Sequence, residues 1–300
     1  MSVFKTACWL VVSLIIASLL LANIELRLSS LQWVALKQLL VIYVVFCLLC
    51  YVVSTLTGNY SQVDKLWSIM PVIYAWVIAH HGGYTPILML MALLVTAWGV
   101  RLTYNFSRRG GYSWKFWTGD EDYRWSIVRQ KPEFQNPIAW TLFNLLFICF
   151  YQMGLILLCT LPMLLAMGDS DIALTHWIVG LLILITLVIE TAADQQQWNF
   201  QQTKQRSRQA NDTYENFINT GLWSKVRHPN YSAEQMIWIL FYILGASVSG
   251  QWFNWTIAGC ILLVVLFVNS AKFSEGITLG KYPEYAGYQQ SVPLFIPKLV

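Results

Sequence analysis

The sequence predicts an all-α, polytopic integral membrane helix bundle. Three observations carry that reading. Only 11% of the residues are charged against 57% hydrophobic, where a soluble domain carries roughly 25% charged residues. The apolar residues gather in runs close to the roughly 20 residues that a helix needs to cross a bilayer core of about 30 Å. The basic residues fall almost entirely on one side of those runs.

Eight stretches reach or approach the spanning length: about 6–23, 38–57, 66–80, 85–101, 138–166, 172–193, 231–249 and 252–271. The third is short and carries Pro71, which points to a tilted or partly re-entrant segment. The fifth is long, with Pro162 near its end. Eight spans are expected, with seven as the fallback. The first stretch runs into "NIELRLSS" with no small-residue cleavage pattern, so it reads as a retained span and not a signal peptide.

In an eight-span arrangement every Lys and Arg except Arg27 and Lys37 falls on one side, and the acidic "GDSD" at 168–171 falls on the other. The positive-inside tendency then places both termini and the two long loops, 102–137 and 195–229, in the cytoplasm. A bacterial inner membrane or one like the endoplasmic reticulum is the expected location. The basic loops suit an anionic leaflet, so no nucleic-acid partner is expected. His80, His81, His176 and His228 are too scattered to form a metal site. All six cysteines lie inside predicted spans, and Cys47 and Cys50 read as small packing residues in an apolar helix.

Polar residues inside spans are costly and face a bundle interior or a wet cavity. Four groups recur at helical spacing, where positions three and four apart share a face. In "GLWSKVRHPNYSAEQMIW", Pro229 suits a first helical turn, and Asn230, Tyr231, Glu234 and Trp238 follow on one side. Arg227 and His228 precede that helix, where backbone N–H groups favour an anion such as a phosphate. Glu190 and Asp194 lie one turn apart at the end of "IVGLLILITLVI" and continue through Gln197 and Gln201. Trp98, Arg101, Asn105 and Arg108 or Arg109 form a third stripe, with guanidinium groups suited to phosphate. Asp64, beside Lys65, stands before "LWSIMPVIYAW" and taken alone reads as a helix cap.

None of the common soluble nucleotide or hydrolase motifs occurs. Three stretches, "GLWSKVRHPNYSAEQMIW", "DKLWSIMPVIYAW" and "AWGVRLTYNFSRRGG", together resemble signatures of the steroid 5α-reductase superfamily, and most closely its DUF1295 branch. The resemblance covers about residues 60–300. It divides the chain into an N-terminal extension of two spans, 1–60, and a reductase-like membrane domain, 61–300. It implies reduction of a carbon–carbon double bond conjugated to a carbonyl, with NADPH held in the helix bundle.

Carried over by position, the resemblance puts Asn230, Tyr231 and Glu234 at the cofactor, with Arg227 and His228 near its phosphates. Glu190 and Asp194, Arg101, Asn105 and Arg109 join the same cofactor set. Asp64 matches a glutamate that polarises the substrate carbonyl, and Trp98 stands where steroid reductases have that glutamate's tyrosine partner. The cytoplasmic end of the last helix, "SAKFSEG", departs from the family's His-rich pattern. The implied substrate is a hydrophobic lipid or steroid-like molecule entering from the bilayer. Two alternatives stay open: an S-adenosylmethionine-dependent methyltransferase resembling the isoprenylcysteine carboxyl methyltransferases, and a non-enzymatic lipid-binding or transport protein.

Overall fold

The computed structural model describes residues 28–115, 117–168 and 171–298, and among them every regular element is helical. Helix α1 (Ser30–Thr57) opens on a reciprocal cap. The Gln32 amide N–H donates to Ser29 Oγ at 3.2 Å, and the Ser29 N–H donates to Gln32 Oε1 at 2.8 Å. It closes at Gly58 in the left-handed conformation, φ 68°. After it come α2 (Gln62–Leu66), α3 (Met70–His81), α4 (Pro86–Ser107), α5 (Tyr123–Arg129) and α6 (Pro137–Leu165). Then follow α7 (Leu174–Ala210), α8 (Pro229–Ser249), α9 (Ile257–Lys281) and α10 (Tyr285–Ser291).

Six of these, α1, α4, α6, α7, α8 and α9, are long and apolar enough to cross a membrane. The chain is a multi-pass membrane protein. Six among the described residues stand against the expected eight, for two reasons. The expected span 6–23 lies outside the described residues. The expected span 66–80 is instead the short α2 and the twelve-residue α3, and twelve residues rise only about 18 Å. Pro71 sits in the first turn of α3, where its missing N–H costs nothing. It starts a new helix here, after the break at residues 67–69.

The chain divides into two compact units. The first contains the described residues up to His176 together with Tyr242–Gly259. Its core is α1, α3 and α6. Tyr43 donates from α1 to the Phe150 carbonyl at 2.9 Å, Gln32 Nε2 donates to the Leu164 carbonyl at 3.0 Å, and Asn144 Nδ2 donates to Ser54 Oγ at 2.9 Å. Midway, α6 widens to π-helical geometry over Asn144–Tyr151, a feature often seen where a helix must present an extra side chain. The described cysteines are all buried free thiols. The second unit contains Trp177–Phe241 and residues from Cys260 onward.

Candidate functional site

In the first unit, Asp64 sits on α2, and that helix is held by the loop between α4 and α5. Asn59 Nδ2 donates to the Gly119 carbonyl (3.0 Å), the Tyr60 N–H to Glu121 Oε1 (2.6 Å) and Gln62 Nε2 to the Trp117 carbonyl (3.2 Å). Lys65 Nζ donates to the Thr118 carbonyl (2.7 Å), and from the loop the Asp122 N–H donates to Ser61 Oγ (2.9 Å) and Tyr112 OH to the Lys65 carbonyl (2.7 Å). The loop closes tightly because Gly119 adopts φ 117°, and a Cβ there would lie 2.6 Å from the Gly111 carbonyl oxygen.

Asp64 itself accepts from the indole N–H of Trp125 on α5, Nε1 to Oδ2 at 3.0 Å. The residue keeps some exposed surface, but its carboxyl is enclosed. Burial pushes that carboxyl above the usual carboxylate range, and the charge of Asp122 adds to the shift. The Ser61 hydroxyl, Arg124 and the Trp125 donor act in the opposite direction without reversing it. Asp122 goes the other way. Burial again opposes its charge, but the Arg124 hydrogen bonds and the charges of Arg124 and Arg109 outweigh burial and hold its pKa low. That pair closes at 2.7 Å, Arg124 Nη2 to Asp122 Oδ2.

The α4 stripe leaves the same unit. Trp98 is buried at 1% exposure, and Asn105 is buried while accepting from Arg108 Nε at 2.9 Å. Gly99 lets α4 approach the turn after α2: a Cβ there would lie 2.6 Å from the Ser68 carbonyl oxygen. Ser68 and Thr103 hydroxyls meet nearby at 2.7 Å. The turn bearing Trp98 and Arg101 is thus held against the segment that follows Asp64.

In the second unit, Glu190, Asp194 and Glu234 are each 5% exposed or less, although they lie on apolar helices. Asn230 Nδ2 donates to Asp194 Oδ1 at 3.1 Å, joining α8 to α7. Trp238 Nε1 donates to Glu234 Oε1 at 3.0 Å within α8. The Gln197 side-chain oxygen is buried with no hydrogen-bond partner among the described residues. Tyr231 stacks on His228, ring centroids 5.2 Å apart, and meets the edge of Phe267 at 4.8 Å.

Arg227 and His228 are engaged by Glu275 of α9 and by the C-terminal segment. Arg227 Nε and Nη2 donate to Glu275 Oε1 (2.6 Å) and Oε2 (3.3 Å), and its Nη1 donates to the Gln289 and Val292 carbonyls (2.9 and 2.6 Å). His228 Nε2 lies 3.0 Å from Glu275 Oε1, and Gln289 Nε2 donates to Oε2 at 2.8 Å. The backbone N–H groups of Arg227 and His228, expected to greet an anion, donate to the Pro293 and Leu294 carbonyls at 2.8 and 3.2 Å. The guanidinium therefore ties α8 to α9 and to the tail.

The sequence profile of the family described as "Protein of unknown function (DUF1295)" matches residues 50–292. The chain belongs to the DUF1295 family. All three signature stretches and every candidate residue fall inside the matched region. An uncharacterized protein of Schizosaccharomyces pombe (strain 972), C594.04c, is 37% identical over 266 residues, covering 82% of this chain and 75% of the relative. No solved structure matches this DUF1295 chain.

Several contributing residues of this DUF1295 protein escaped the sequence reading. Glu275 lies in the "SAKFSEG" that stood out only as a departure, although an acid on an apolar helix is itself a signal. Trp125, Asp122 and Tyr112 belong to the loop over 102–137, whose basic residues entered the reading as suited to an anionic leaflet. Its glycines, Gly110, Gly111 and Gly119, were the mark of a loop that folds back.

Proposed function

We propose that this protein is a membrane-embedded, NADPH-dependent reductase of a carbon–carbon double bond conjugated to a carbonyl, acting on a lipid or steroid-like substrate. One observation carries the reading: Glu190, Asp194 and Glu234 are buried in the apolar helices of one compact unit, with the half-buried Asn230 bonded to Asp194 and a Gln197 oxygen buried without a partner among the described residues. Burying such groups without a use is expensive. A ligand rich in hydroxyl and amide donors, as a nucleotide's ribose and carboxamide are, would satisfy the Gln197 oxygen and suit the carboxylates. That acceptor set fits the sugar and amide parts of the cofactor. Arg227 and His228 are then supports of the wall, through Glu275.

When bound, NADPH supplies the hydride. Asp64, with its carboxyl pushed toward the protonated form, would donate to the substrate carbonyl as negative charge grows there. Trp98 would pack against the substrate in the same assignment. The reading also keeps both termini in the cytoplasm, where NADPH is available, with substrate entering sideways from lipid.

One feature favours a second reading. Three buried carboxylates also suit a cationic ligand, and S-adenosylmethionine carries a sulfonium and an ammonium group. The reductase is preferred because the enclosed acid at Asp64 has no role in methyl transfer. Purified protein in detergent, titrated with NADPH, NADH and S-adenosylmethionine, separates the two. NADPH binding that Glu234→Ala abolishes supports the reductase, and binding of S-adenosylmethionine alone sinks it.

A further inference from the structure

Besides the Ser61 hydroxyl, which can donate or accept, Asp64 is bonded to Trp125, a residue 61 positions away that can only donate, and this second bond fixes which carboxyl oxygen is open to a proton. An indole N–H donates and cannot accept. It points at Oδ2 from 3.0 Å, so a proton on Oδ2 would face another hydrogen. We propose that Trp125 is a positioning residue for Asp64: its N–H fixes Oδ2 as the acceptor and leaves Oδ1 as the oxygen that carries and donates the proton. This deepens the reductase reading and rests on its assignment of Asp64 as the acid.

The surroundings are built for this. Residues 59, 60, 61, 62 and 65 are each held by the loop over 112–122, and residue 64 by the helix just after it. Asp122 caps α5 by accepting from the Arg124 N–H at 2.9 Å, so the residue that begins α5 also donates to Ser61. Trp125 lies three residues after that cap, in the first turn of α5, and is 8% exposed. On α5 a cleft of about 320 Å³ is lined by Tyr60, Glu121, Trp125, Ser126, Arg129 and Gln130. Arg129 stacks over Tyr60 and Trp140 at 5.4 and 5.7 Å, closing the far wall. The indole is buried beside that cleft, and its N–H is directed at Asp64.

The charged and titratable groups that act on Asp64 come from every neighbouring element. They are Cys50 on α1, Lys65 on α2, and Asp122 and Arg124 at the start of α5. Trp125 is uncharged, so replacing it leaves this electrostatic set in place and changes only the hydrogen bond.

The test needs neither substrate nor cofactor. Infrared difference spectra of the purified full chain, taken across pH, contain the C=O band of the protonated Asp64 carboxyl, identified by its loss in Asp64→Asn. In Trp125→Phe, which keeps a ring and removes the donor, that band moves to higher frequency. The pH at which it vanishes rises by on the order of one unit, because the lost bond favoured the charged form. Trp125→His, which can donate from its ring, brings both back toward the wild type. A band that Trp125→Phe leaves unmoved in frequency and midpoint overturns the proposal. So does the absence of any Asp64 band wherever the protein is folded, since Oδ1 then never carries a proton. Should Trp125→Phe not fold, resonance Raman of the indole N–H in the wild type replaces it. A Trp signal present in wild type, absent from Asp64→Asn and unchanged across the Asp64 titration would overturn the proposal equally. Loss of NADPH binding in the separate titration defeats the reductase reading and leaves this result standing.

Discussion

Asn230 gives its side-chain N–H to the Asp194 carboxylate across 3.1 Å, and this bond joins the first turn of α8 to the end of the apolar run of α7. Both residues are held in place from other directions. Trp223 donates its indole N–H to the Ala193 carbonyl at 3.1 Å, and the Leu222 N–H reaches Gln196 Oε1 at 2.9 Å. The loop before α8 is thus pinned to α7 one residue before the carboxylate and two residues after it. Removing the donor by Asn230→Leu leaves a buried carboxylate short of a partner, at a cost of about 1–3 kcal/mol. If the pair also meets the nucleotide, NADPH affinity falls roughly 10- to 100-fold. The exchange Asp194→Asn with Asn230→Asp separates the two effects. It keeps one amide and one carboxylate in contact, so the thermal midpoint recovers while NADPH binding does not. Recovery of both would make the pair purely structural.

Glu275 is the centre of the other polar cluster, with bidentate Arg227, His228 and Gln289 around a side chain that is 6% exposed. Removing one partner of a buried pair leaves the other uncompensated, at about 3–5 kcal/mol. Glu275→Ala is expected to lower the unfolding free energy by that order, measured by denaturant titration in detergent. The double change Arg227→Met with Glu275→Leu, which removes both charges, should recover much of it. A double-variant loss equal to the sum of the Arg227→Met and Glu275→Leu losses would show that the pair adds no coupling.

How much of this was legible in the sequence depends on range. The five later spans and α1 follow from composition, because an apolar run in a bilayer has few structures open to it. The third segment read as short and partly re-entrant but was still counted as a span, since hydropathy counts residues and cannot see that Pro71 opens a helix instead of interrupting one. Helical spacing correctly grouped Asn230 with Glu234, and Glu190 with Asp194, on shared faces. It could not pair Asn230 with Asp194 at a separation of 36 residues, Arg227 with Glu275 at 48, or Trp125 with Asp64 at 61. Periodicity names a face, whereas a partner across the fold is set by packing. For that reason Arg227 read as a ligand group when its donors are engaged within the chain.

Gly119 is a local point of leverage over Asp64. Its φ of 117° is open to glycine and strained for a residue with a Cβ, and that Cβ would collide with the Gly111 carbonyl. Gly119→Ala is expected to cost about 1–3 kcal/mol locally. The loss falls on the loop that carries Thr118, Glu121 and Asp122. Hydrogen exchange should show faster exchange at Tyr60, whose N–H donates to Glu121, and at Asp122, while amides of α9 in the other unit keep their protection. Unchanged protection at Tyr60 would mean that the loop tolerates the Cβ by another route.

The raised pKa of Asp64 makes a prediction about stability against pH, and its sign can be worked out. In the unfolded chain an aspartate titrates near 4. In the folded chain burial holds the Asp64 proton to higher pH, so between those two values the folded state binds more protons than the unfolded one. Stability then decreases as pH rises through that interval. The contribution is complete below pH about 4 and is lost as pH passes the folded value. Asp122 acts with the opposite sign: its lowered pKa gives stability that is present at neutral pH and is lost on acidification. A wild-type profile alone mixes the two. Comparing wild type with Asp64→Asn isolates the first, because asparagine cannot titrate and leaves Asp122 and Arg124 in place. Thermal midpoints measured from pH 4 upward should fall less steeply with pH in Asp64→Asn than in the wild type. The two curves should become parallel once Asp64 is fully ionised. Curves parallel throughout would place the Asp64 proton at its ordinary pKa and remove the acid from the proposed reaction.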